Sequence, residues 1–86
     1  MGIDEKGTGE RIRELRKKSG LKVAEISSLI GLSDERAMYY WEQGKTLPST
    51  HNLMLLSKVF GVSMDEILVT YDLERPAEAV DLEKKH

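Results

Sequence analysis

Four glycines cut this chain into segments of helical period, and that punctuation constrains the fold more than any other feature. Gly20, Gly31, Gly44 and Gly61 each follow a stretch in which apolar residues recur at intervals of three and four. The position just past a helix favours the left-handed backbone conformation, which glycine adopts without steric cost. The punctuation therefore predicts short helices joined by short links. The first runs from about Thr8 or Gly9 to Ser19 with Ile12 and Leu15 inward, and the second from about Lys22 to Ile30, burying Val23, Ile26 and either Leu29 or Ile30. A third helix, about Asp34 to Gln43, has Ser33 and Asp34 as capping candidates and Ala37, Met38 and Trp41 on its apolar side. A fourth enters near Pro48-Ser49 and turns Leu53, Leu56, Val59 and Phe60 inward, leaving Met54 and Leu55 to compete for the surface. Ser63-Met64-Asp65-Glu66 reads as a capping box, serine and glutamate satisfying each other's free backbone donors, and opens a fifth helix containing Ile67 and Leu68.

The pattern changes after that. Val69, Tyr71 and Leu73 alternate with polar Thr70, Asp72 and Glu74, which suits a short strand or an extended linker. Pro76 interrupts it, and disorder is expected for 76–86. The fold class expected is all-α: a compact five-helix bundle over 9–68, a flexible N-terminus over 1–8, and a C-terminal dimerisation segment or disordered tail over 69–86.

Composition removes several kinds of chemistry. No cysteine is present, so no thiolate metal site, disulfide framework or thiol nucleophile is available. The histidines, His51 and His86, are too few and too far apart to suggest a metal site. The carboxylate pairs Asp34/Glu35 and Asp65/Glu66 are neighbours in sequence, so their side chains diverge around a helix instead of converging on a substrate. Gly44-Lys45-Thr46 lacks the preceding glycine of a phosphate-binding loop. These residues point to neither enzyme, cofactor, metal nor small-molecule ligand. No apolar run approaches the roughly 20 residues of a membrane span, and no secretory signal is visible, which leads to the expectation of a cytoplasmic protein.

Charge is nearly balanced where the helices lie. The whole chain carries −2, but 9–68 holds nine lysines and arginines against eight acids, and the excess of acid sits in the flanks. The third helix combines a buried stripe with an outward side bearing Arg36, Tyr39 and Tyr40. A short helix pinned between two glycine stops and offering such a face is how a recognition helix is presented to a DNA groove.

The run GERIRELRKKSGLKVAEISSLIGLS…WEQGKTLPS…NLMLLSKVFGVSMDEIL resembles the helix-turn-helix domains of the Cro/CI repressor class, the XRE-like family. The resemblance covers about Gly9 to Leu68 and rests on the order and spacing of several elements: IRELR, GLS, WEQGKTLP and the segment LMLLSKVFGVSMDEIL. It implies a lambda-repressor-like five-helix domain that binds double-stranded operator DNA as a homodimer and regulates transcription, most simply as a repressor. Carried onto these positions, it implies base contacts from Glu35, Arg36, Tyr39 and Tyr40. Phosphate contacts would come from Lys17, Lys22, Gln43, Lys45 and Thr46, and a structural ion pair would join Arg16 to Glu42. Dimer contacts would come from Ile67, Val69, Tyr71 and Leu73.

Three positions depart from the family pattern. Val23 stands where a glutamine often clamps phosphate. The chain is one residue longer between Gly31 and Trp41-Glu42. Asp34 and Glu35 occupy early positions of the third helix. With the apolar Met54-Leu55 pair, these departures define an alternative on the same fold: a protein-interaction module, antitoxin-like or a co-regulator, with a protein partner and weak or no DNA binding.

Overall fold

The computed structural model describes residues 2–71, and in them five helices and a pair of very short strands follow in the order β1 (Gly2–Ile3), α1 (Glu5–Ser19), α2 (Val23–Leu29), α3 (Arg36–Gln43), α4 (Thr50–Phe60), α5 (Met64–Ile67) and β2 (Thr70–Tyr71). All four punctuating glycines have positive φ, as the helix-stop reading requires. The core is the set of apolar stripes turned inward: Ile12 of α1, Val23 and Ile26 of α2 with Ile30 just beyond it, Met38 and Trp41 of α3, Leu53 and Leu56 of α4, and Ile67 of α5. Ile30, not Leu29, takes the inward place at the end of α2, and Leu29 is 64% exposed. On α4, Leu55 packs at the edge of the core and Met54 faces solvent.

Residues 2–8 belong to the domain, where a flexible N-terminus was expected over 1–8. Helix α1 starts at Glu5, three to four residues before the expected start, because the Asp4 side chain accepts from the Gly7 N–H at 2.9 Å and caps it. Gly2–Ile3 pair antiparallel with Thr70–Tyr71, and the Asp4 N–H donates to the Val69 carbonyl at 2.8 Å. Thr8 closes this junction from the interior. Fully buried, its hydroxyl accepts from the Val69 N–H at 2.9 Å and donates to the Val69 carbonyl at 3.4 Å. A buried backbone N–H needs a partner, and here a threonine supplies it.

Two residues of the expected dimer set are engaged within the chain. Ile67 has no exposed surface and serves the chain's own core, so it is not available to a second copy. Val69 has its backbone committed to Asp4 and Thr8 within the same chain, and β2 takes its strand partner from the N-terminus. Tyr71 is exposed, whereas Leu73 lies outside the described residues, as does the expected tail over 76–86.

Candidate nucleic-acid interface

Helix α2, the turn after it and α3 form the outward unit of the bundle. The turn is built by Gly31 at φ 80°, which lets the Gly31 N–H reach back to the Ser28 carbonyl at 3.3 Å and the Leu32 N–H to Ser27 at 2.8 Å. The following residues do not continue at once into helix. Residues 33–35 form a bend in which the Asp34 carboxylate accepts from the Arg36 N–H at 2.8 Å, and α3 begins at Arg36, two residues after the expected start. Asp34 competes for backbone donors locally, as short acidic side chains do, and so delays the helix.

The far end of α3 is fixed against α1, the helix it packs on most extensively. A Cβ on Gly9 would run into the Trp41 carbonyl oxygen and come within 2.8 Å of the Glu42 carbonyl, so only glycine allows this approach. Two turns further along α1, Arg16 grips Glu42 in a fork: Nε donates to Oε2 at 2.6 Å and a terminal guanidinium nitrogen to Oε1 at 3.1 Å. The side chains of Arg16 and Glu42 are only 18% and 7% exposed. Glu42's hydrogen bonds raise the Arg16 guanidinium above its ordinary pKa against the opposing effect of burial. Folding thus favours the cationic form of Arg16, whose contribution to stability would be lost only as pH rises through its raised pKa.

With both sides set, the periodicity of α3 decides what faces out. Met38 and Trp41 are buried and Ala37 packs beside them, so Arg36, Tyr39, Tyr40 and Gln43 are exposed along the opposite side. Tyr39 and Tyr40 are 45% and 40% exposed. Tyr39 forms the wall between two shallow grooves. One is lined by Arg16, Lys22, Val23, Ala24 and Glu35, and the other by Arg13, Arg16, Glu42 and Gln43. Glu35 is half-buried at the N-cap of α3, and its carboxylate accepts from the Tyr39 hydroxyl at 3.4 Å. Lys22 caps α2 at the rim, its N–H donating to Glu25 at 2.9 Å. Lys45 lies past the Gly44 turn with its ammonium 5.3 Å from the centre of the Tyr40 ring, and Thr46 follows it on the surface.

Seven of the residues singled out from sequence therefore share one surface: Glu35, Arg36, Tyr39, Tyr40 and Gln43, flanked by Lys22 and Lys45. Lys17 lines a different depression with Glu10, Arg13 and Glu14 on the outer side of α1. Val23 is buried and packs in the core, so this position contributes no polar group to the surface. Arg13, weighed with Lys17 as a phosphate contact, lines both the Lys17 depression and the groove beside Tyr39 and Gln43. Arg11, by contrast, is not purely a solvated side chain, since it donates to the Glu66 carbonyl of α5 at 2.7 Å. Among the described residues no cluster of acidic or histidine side chains could hold a metal, and no helix is long and apolar enough to cross a membrane.

A short outward helix, joined by a glycine turn to the helix before it and braced from behind by a third, defines a helix-turn-helix protein. Residues 12–67 match the helix-turn-helix family model, and the chain belongs to that family, in the Cro/CI, XRE-like group of regulators. Its relatives include the repressor protein C2 of Salmonella phage P22, 40% identical over 60 residues, which are 70% of this chain and 27% of the repressor. The chain thus corresponds to about a quarter of that relative's length. A crystal structure of the P22 c2 repressor with a synthetic operator matches with a TM-score of 0.67 at 39% identity, over 71% of this chain and 91% of that one. The restriction-modification controller protein C.AhdI from Aeromonas hydrophila matches with a TM-score of 0.68 at 30% identity, over 74% and 91% of the two chains. A transcriptional regulator from Listeria innocua, at 22% identity and a TM-score of 0.69, shares the fold over 99% of this chain and 77% of its own.

Proposed function

We propose that this chain is a sequence-specific DNA-binding transcriptional regulator, a repressor that acts as a homodimer on a palindromic operator. The observation that carries the reading is the exposed face of α3, with Arg36 and Tyr39 free to enter the major groove while Lys22 and Lys45 stand at its two margins. Arg36 has the fork geometry that reads guanine through its O6 and N7 atoms, the commonest specific contact. Lysines at the margins are placed to meet phosphates, which position a protein on the duplex without specifying sequence. The resemblance to a repressor whose structure holds a synthetic operator supports the same reading. In the proposed dimer the half-sites lie about one helical turn, roughly 34 Å, apart. In the expected dimer set, Tyr71 is exposed at the end of β2 and Val69 is half-buried, so both offer surface to a second copy.

The test is selection from random oligonucleotides, followed by titration of the winning sequence over a series of salt concentrations. Enrichment of a palindrome, with affinity falling steeply as salt rises, is the expected result. No enrichment, with only feeble binding at low salt, would refute it and favour the protein-interaction alternative.

A further inference from the structure

We propose that Tyr40 is a positioning residue: its ring holds the Lys45 ammonium where the DNA backbone passes, and it does not itself read a base. The inference rests on the DNA-binding reading above. The carboxyl end of α3 turns through Gly44 at φ 76°, and two backbone bonds close the turn, Gly44 N–H to the Trp41 carbonyl at 3.1 Å and Lys45 N–H to the Tyr40 carbonyl at 3.0 Å. The second of these folds Lys45 back onto the residue whose ring its ammonium then covers at 5.3 Å from the centroid. An ammonium at that distance is drawn to the negative face of the ring. Among the described residues the ion pair formed is Arg16 with Glu42, so no described carboxylate is paired with Lys45. The ring is its tether.

A free lysine on a surface loop samples many rotamers and loses that freedom when it meets a phosphate. Here the backbone turn and the ring restrict it beforehand, at the end of the exposed face that begins with Arg36 two turns earlier. The same contact occupies Tyr40: a lysine lies over its ring, so its aromatic surface acts through the cation.

Tyr40→Leu, Tyr40→Phe, Lys45→Ala and the double variant Tyr40→Leu/Lys45→Ala test this with the selected operator and an unrelated duplex. Tyr40→Leu keeps apolar bulk and removes the ring. It is expected to weaken binding to both duplexes several-fold alike and to lower the slope of log affinity against log salt by about one, the value of one phosphate contact. Tyr40→Phe, which keeps the ring, is expected to rescue the slope, and Tyr40→Leu combined with Lys45→Ala to lose no more than Lys45→Ala alone. In the free protein, the Lys45 ε-protons are expected upfield from the ring current, and at ordinary shifts in Tyr40→Leu. Loss of base discrimination in Tyr40→Leu with an unchanged salt slope would overturn the proposal, as would additive losses in the double variant or unshifted ε-protons in the wild type. Failure of the wild type to bind any duplex would instead overturn the DNA-binding reading, and this proposal with it.

Discussion

The two ends of α3 are held in opposite ways. At its carboxyl end the helix meets α1 so closely that Gly9 has no room for a side chain, Arg16 and Glu42 are forked together, and Gly44 closes the turn. At its amino end, residues 33–35 form a solvent-facing bend with one side-chain bond from Asp34 and a long one between Glu35 and Tyr39. The outward face, with Arg36, Tyr39 and Tyr40, is therefore held from behind at the carboxyl end, while the amino end is entered through a short solvent-facing bend.

Insertions would expose the asymmetry most sharply. One alanine added after Gln43 displaces Gly44 from its positive-φ position and breaks the bonds of the turn, at a cost on the order of 5 kcal/mol, enough to unfold a domain of this size. One alanine added after Ser33 is expected to leave a cooperative melt within a few degrees of the parent. Equal damage from the two insertions, seen by thermal denaturation, would break the comparison.

Arg16→Met leaves the Glu42 carboxylate largely buried without its partner. A loss of roughly 3 kcal/mol in urea denaturation is expected, below the full cost of a wholly buried orphan because Arg16 is partly exposed. Gly9→Ala is expected to lose about 2 kcal/mol in the same assay, since overpacking against two backbone carbonyls outweighs the roughly 1 kcal/mol that alanine gains over glycine in a helix. Asp34→Ala removes only an exposed local bond at the loose end, and about 0.5 kcal/mol is expected. A larger loss at Asp34 than at Gly9 would reverse the assignment of the fixed end.

Most of the bundle could be read from the sequence because its signals are local. Glycine stops, the capping serines Ser49 and Ser63 and the spacing of Ile12, Ile26, Met38, Trp41, Leu53 and Leu56 each act within a turn or two. The missed features depend on residues distant in sequence. Asp4 had a local signal as an N-cap, but Thr8 makes sense only once Val69 is beside it, 61 positions away. Gly9 looks like an indifferent helix residue until the carbonyls of Trp41 and Glu42 arrive. On the interface side, the outward set followed from the period of α3, while the delayed start at Arg36 did not, because Asp34 spends its carboxylate on a turn. The pairing of Lys45 with the Tyr40 ring had no one-dimensional signal, since it arises from the fold-back at Gly44. Ile67, expected among the dimer contacts, is claimed by packing within the bundle.

The central claim is that the exposed face of α3 reads bases, and Arg36 is its most direct test. Affinities of the wild type and Arg36→Ala would be measured against the selected operator and every single-base variant of it, at one salt concentration. The account predicts that Arg36→Ala loses about 1–3 kcal/mol of discrimination at one base pair of each half-site and keeps the parent's preference elsewhere. Undiminished discrimination at every position would contradict it.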